Sequence, residues 1–295
     1  MLQVLPAAAL TGLQIGCVYA VIALGLSLIF GIIRVINFAH GSILMILMYL
    51  GFFLFSQWGI HPYLAILICA PAAFGFGYAI QHLLNRRLFI REKAYVVEPL
   101  GVLMLMAGFD MVLANLALLS FGPWVKTATG AASETIFRIG LFTISLSRLA
   151  IVPIVIILIF LVYWLLNRTE LGNRIRSVGQ NREAAAICGI NVHHIYALTF
   201  GIGCAITAIG GCAMLPFYPI EPAMGLGLAI KAFIVVVLGG MGSIPGMLAA
   251  GIIIGLVESI VAQFVPATYG FIVALVIFLL VIFFRPRGLM GRIEV

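Results

Sequence analysis

Residues 167–194 read NRTELGNRIRSVGQNREAAAICGINVHH. The stretch carries Arg168, Arg174, Arg176, Arg182, Glu170 and Glu183 in a chain where only 8% of residues are charged. Almost everything on either side is apolar. A segment this polar must sit in water, so the flanking runs need another solvent. The chain is 64% hydrophobic, with a mean hydropathy of +1.25. A soluble domain of 295 residues lacks the polar surface to cover that much apolar area. Lipid accepts it. About 20 mostly apolar residues cross the hydrocarbon core as a helix. The expected fold is therefore a single all-α polytopic membrane domain over residues 1–295, with residues 167–195 as a polar loop within it. A β-barrel would instead show alternating segments of ~10 residues.

Apolar runs fall near 7–33, 38–56, 62–84, 97–119, 142–166, 196–217, 228–241, 246–264 and 268–284. They predict eight or nine spans, because the seventh and eighth are short. The 228–264 region reads as two short spans, or as one span plus a re-entrant piece. No Lys or Arg precedes Arg34, and the first run is too long for a signal-peptide core. It is expected to be a retained span.

The basic residues cluster. Segment 85–95 holds Arg86, Arg87, Arg91 and Lys93, the polar loop holds four arginines, and the tail holds Arg285, Arg287 and Arg292. The positive-inside bias places these three regions in the cytoplasm, and segment 121–140 outside. It also accounts for the net charge of +7 without nucleic acid. The five cysteines show no metal spacing, and no metal site is expected.

No catalytic set emerges. There is no phosphate-binding loop, no HExxH and no GxSxG. The chain should not hydrolyse ATP itself. Between Leu171 and Ile190 the polar loop is rich in helix formers. Ile175, Val178, Ala185 and Ile187 supply an apolar side, and Gly179 is expected to split it into two short helices. Gly189 fits a helix stop.

Two glycine-containing interruptions form a weak internal echo. FGIIRVINFAHGS runs from Phe30 to Ser42, and VLGGMGSIPG from Val237 to Gly246. Each lies between apolar runs. Broken helices at matching positions often line a transport path. Asn37, His40 and Ser42, with Gly239, Gly240, Gly242 and Ser243, are the candidate path residues. Tight turns and helix packing are the competing reading. Within the spans, Asp110, near Asn115, and Glu258 are ionisable. Such residues face a bundle interior or cavity. Lys231 is expected to snorkel to the outer interface. Gly251 and Gly255 form a GxxxG contact.

The order Arg182-Glu183-Ala184-Ala185-Ala186-Ile187-Cys188-Gly189 resembles the EAA-x-x-x-G motif of ABC importer permeases. GLSLIFGIIRVINFAHGS, RTELGNRIRSVGQNREAAAICGIN, KAFIVVVLGGMGSIPG and RPRGLMG follow one another as in the LivH-like branched-chain amino acid permeases. The later I-x-L-P element of other permeases is absent, and Thr199-Phe200-Gly201 stands near its place. That suits the branched-chain subgroup.

The resemblance implies a bacterial inner-membrane importer subunit that makes no chemistry and binds no cofactor. ATP and Mg would sit on two partner ATPase subunits. A second permease, identical or homologous, and a periplasmic binding protein would complete the machine. Arg174, Arg176, Arg182, Glu183, Ala184, Ala185 and Gly189 would then form the ATPase-coupling surface. Urea or short amides are alternative cargoes of the same group. An ion-coupled secondary transporter, with Asp110 and Glu258 as ion sites, is the rival class.

Overall fold

The computed structural model describes residues 4–86, 100–128, 136–139, 142–145, 149–285 and 287–291. Arg87, Arg91, Lys93 and Arg292, which were placed in the cytoplasm, lie outside the described residues, as does part of segment 121–140. The helices are α1 (Val4–Ile33), α2 (His40–Trp58), α3 (Pro62–Ile80), α4 (Leu100–Phe121), α5 (Ile151–Arg168), α6 (Glu170–Gln180), α7 (Arg182–Ile187), α8 (Val192–Met214), α9 (Met224–Gly239), α10 (Ile244–Val261) and α11 (Ala267–Phe284). A π-helical turn, Gln81–Asn85, extends α3. Among the described residues seven helices are long and apolar enough to cross a membrane, and α9 and α11 supply two shorter apolar segments. The chain is a polytopic helical membrane protein.

The fifth span departs from expectation. It begins at Ile151, not near 142. Phe142–Ser145 instead pairs antiparallel with Ile136–Ile139 as a small hairpin. The sequence Phe-Thr-Ile-Ser alternates apolar and polar residues, which is strand periodicity rather than a membrane-helix run.

The bundle is organised around α1, a 30-residue helix without a charged residue. It packs most extensively on α10, and then on α8. Glycines let these backbones touch. A Cβ on Gly16 would stand 2.6 Å from the Gly251 carbonyl oxygen, and one on Gly12 would stand 2.7 Å from the Leu256 Cα. On the other side of α1, a Cβ on Gly25 would stand 2.7 Å from the Gly203 carbonyl oxygen. With no hydrophobic drive between helices in lipid, close backbone approach is what holds them together. The Gly251–Gly255 pair therefore works as a helix contact, as read from the sequence.

Two helices start in the bundle interior. α1 ends at Ile33, and Arg34 reverses the chain at φ 55°, the one non-glycine residue with positive φ among those described. The chain then runs back along α1, so that His40 Nε2 lies 3.1 Å from the Ile22 carbonyl oxygen. Ile22 is eleven positions before Ile33, roughly 16 Å of helix. On the opposite side, Leu215 packs beside Gly51, and the chain returns along α2 until Gly225 meets Ser42. The first turns of α2 and α9 touch at Gly41 and Gly225. The 34–42 interruption thus packs against the start of α9, while 237–246 lies elsewhere. The 237–246 segment is a tight turn in which Gly240 (φ 93°) and Gly242 (φ 82°) reverse the chain, and Ser243 caps α10 by accepting from the Gly246 amide at 3.2 Å.

The tail motif closes this end of the bundle. The Leu289 and Met290 amides donate to the Leu238 and Gly239 carbonyls at 2.8 and 3.2 Å. These are carbonyls that the end of α9 would otherwise leave unpaired.

Candidate functional site

The polar loop folds into two capped helices and leads into a third. Thr169 caps α6 by accepting from the Gly172 amide at 3.1 Å. Asn181 caps α7, its Oδ1 accepting from the Glu183 and Ala184 amides at 3.0 Å each. Asn191 caps α8, accepting from His194 at 3.1 Å. After α7, Gly189 takes φ 82°. The Gly189 and Ile190 amides close onto the Ala186 and Ala185 carbonyls, both at 3.0 Å. That is the hydrogen-bond pattern of a glycine-terminated helix, the stop expected at Gly189.

The break between α6 and α7 is at Asn181 rather than Gly179. Glycine lowers helix propensity but does not end a helix by itself. Asn181 adopts extended dihedrals, and its side chain replaces the lost backbone bonds. Gly179 stays helical, and a Cβ there would stand 3.4 Å from the Gly31 carbonyl oxygen, so α6 lies close against the end of α1.

Ile175, Val178 and Ala185 are buried, as an apolar side requires. Ile187 is not. It is 87% exposed, beside the exposed Cys188. Its face of α7 points away from the bundle. Arg174, Arg176, Arg182, Glu183, Ala184 and Gly189 are exposed as well. Arg174 pairs loosely with Glu170 at 3.7 Å. Arg176 holds the side-chain oxygens of Asn167 and Asn173 at 2.8 and 2.6 Å.

Arg34, not singled out from the sequence, links this loop to the bundle. Its guanidinium donates to the Gly179 carbonyl at 3.3 Å. The signal was weak because Arg34 stands alone, outside the three basic clusters.

Replacing Asn181 with alanine should remove the α7 cap and cost about 1 kcal/mol locally. The expected readout is roughly fivefold faster hydrogen exchange over 182–187. Unchanged exchange there would show that the cap does not hold α7.

The candidate path residues separate into two places. Asn37, His40 and Ser42 are buried at the start of α2. His40 Nε2 also lies 3.3 Å from Thr207 Oγ1. Among the described residues neither polar atom of the Asn37 side chain has a hydrogen-bond partner, nor does His40 Nδ1. Gly239, Gly240, Gly242 and Ser243 lie at the α9–α10 turn, where the Gly242 amide donates to Ser27 Oγ at 3.1 Å. Gly242 also lines a cavity of about 210 Å³ beside α6, together with Arg176 and Gly179.

Lys231 does not snorkel. Its Nζ sits 2.9 Å from Glu258 Oε1 and donates to the Tyr19 hydroxyl at 2.8 Å. The Tyr19 hydroxyl in turn donates to Glu258 Oε2 at 2.8 Å. The charge that was expected to reach the interface is neutralised between α1, α9 and α10. Tyr19 was missed because it lies 212 positions from Lys231 in sequence. Asp110 is half-buried on α4, and its Oδ1 has no hydrogen-bond partner among the described residues. Asn115 bonds back to Met111 at 2.7 Å instead. Among the described residues no group of three or more metal-type ligands occurs.

Residues 8–282 match the family model described as branched-chain amino acid transport system / permease component. The chain is 32% identical to the high-affinity branched-chain amino acid transport system permease protein BraD of Pseudomonas aeruginosa, covering 96% of this chain and 95% of that one. It is 30% identical to LivH of Escherichia coli, with coverage of 96% and 94%. A more partial likeness, 29% over 68% of this chain and 55% of the other, links it to the fructose import permease protein FrcC of Rhizobium meliloti. No solved structure matches.

Proposed function

Since the chain belongs to the branched-chain amino acid transport permease family, we propose that it is one translocating subunit of an ATP-driven importer for hydrophobic amino acids. It works in the bacterial inner membrane with a second permease, two ATPase subunits and a periplasmic binding protein. ATP and Mg reside on the ATPases. The α6–α7 loop and the C-terminus face the cytoplasm, in line with their arginines.

The observation that carries this reading is the loop's geometry. α7 is folded, capped at both ends and turned outward, with Glu183, Ile187 and Cys188 exposed. α6, its other half, is fastened to α1 through Arg34 and Gly179. An ATPase cleft that moves α7 therefore moves α6 against α1, the helix on which the bundle is centred. Asn37, His40 and Ser42 sit where α2 starts inside that bundle and change surroundings as α1 rocks. Their polar groups without partners are the ones a passing cargo or a second state of the bundle would engage. The ion-coupled rival is less suited to Glu258, whose charge Lys231 already answers.

Glu183→Lys reverses the charge on the outward helix at its first turn. Uptake and substrate-stimulated ATP hydrolysis should fall about tenfold or more, the scale set by losing one charge-assisted contact. The protein should still insert. Wild-type uptake by this variant would refute the coupling role of α7.

A further inference from the structure

The cavity beside α6 lies between the loop and the bundle. Its floor is apolar: Leu24, Leu28, Val162, Ile175 and Met247 line it, and all five are buried. Its rim is polar and exposed at Arg176, Gln180 and Gly242. The floor's polar group is already satisfied, because Ser27 Oγ accepts from the Gly242 amide. Among the described residues, Arg176 is bound to neutral amide oxygens, those of Asn167 and Asn173, and no carboxylate there pairs with its charge.

A volume of about 210 Å³ is small for a drug-sized ligand but ample for a single amino acid. An apolar floor holds water poorly, and a void there forfeits dispersion contacts. The chemistry that fits is one aliphatic side chain below and one carboxylate above. We propose that this cavity binds a small hydrophobic amino acid from the loop's side of the membrane, with its side chain on the Leu28–Met247 floor and its α-carboxylate on Arg176. The inference rests on the amino-acid reading of the cargo.

Occupancy has a mechanical consequence. The cavity's walls belong to α1, α5, α6, the α9–α10 turn and the start of α10. α6 must move relative to α1 if the loop transmits force. A molecule bridging Arg176 on α6 and Leu28 on α1 binds one arrangement of that joint and opposes the other. Imported product would thereby slow its own import. A site of this size and chemistry binds at about the millimolar level, an affinity suited to sensing a cytoplasmic pool.

The test uses the full importer in proteoliposomes, with ATP and leucine enclosed on the loop's side. Initial uptake of labelled leucine is compared with and without about 10 mM lumenal leucine. Wild-type uptake should fall by up to roughly tenfold, the linkage expected at ten times the dissociation constant. Lumenal glycine should have no effect. Arg176→Gln should weaken the inhibition, and Val162→Phe, which fills the floor, should bring the ratio of the two rates to about one. Basal ATP hydrolysis in nanodiscs without binding protein is measured in parallel. If hydrolysis falls with leucine while no leucine is imported, the cavity stands and the cargo reading fails. If leucine changes neither rate, or the variants keep the wild-type ratio, the cavity proposal is overturned. A response to phosphatidylglycerol content in place of leucine would assign the cavity to a lipid headgroup and would also overturn it.

Discussion

Leucine at position 255 is expected to abolish accumulation of the folded protein. A Cβ on Gly255 would collide with the backbone of Gly12 and would lie 2.5 Å from the Gly16 Cα. These are backbone atoms of a long helix and cannot turn aside as a flexible side chain would. α1 and α10 must separate along the seam formed by Gly12, Gly16, Gly251 and Gly255. Overpacking a well-filled site costs about 1–3 kcal/mol when side chains can adjust, and here they cannot, so the loss should be at or above that range. Gly75→Leu is the control, because nothing lies within 4 Å of a Cβ there. It should change stability by no more than about 0.5 kcal/mol. The measurement is thermal unfolding of both variants in the same detergent, with membrane yield alongside. Equal behaviour of the two would show that the seam is not close-packed.

Lys231→Met should be the next most damaging change. Lys231 and Glu258 keep only 19% and 13% of their side-chain surface. Removing one member of a buried pair leaves the other charge without its counter-ion, which costs about 3–5 kcal/mol in well-buried cases. The residual exposure puts this pair toward the lower end. The double variant Lys231→Met with Glu258→Met should recover most of the loss, because replacing a whole buried pair with apolar residues is often neutral or stabilising. A double variant no better than the single one would mean that the pair is not coupled in the folded state.

The span pattern was legible because a lipid-facing helix needs only a long apolar run, and nine such runs were visible as blocks. The loop at 167–194 was legible for the opposite reason, as charge stands out against that background. Pairings across the bundle were not. Lys231 and Glu258 are 27 residues apart on two different helices, and Tyr19 comes from a third. No periodicity links them, so Lys231 read as a lone cation near a helix start. The segments 30–42 and 237–246 look alike in sequence because glycine content marks both a tight turn and a helix that starts in the interior. Only the contact of Gly41 with Gly225 separates the two. At the loop, Gly179 drew the break because glycine is a poor helix former, but Asn181 holds the cap that makes one. Ile187 was assigned to the buried side on spacing alone, and a change of helix at Asn181 resets that spacing.

The caps at Thr169, Asn181 and Asn191 bear on how the proposed importer would assemble. Each satisfies its helix end from within the loop. If the proposed ATPase docks on this loop, it meets a surface that is already ordered. Docking then carries little conformational-entropy cost. On the proposed reading, subunits built this way would part and rejoin without the loop unfolding between encounters.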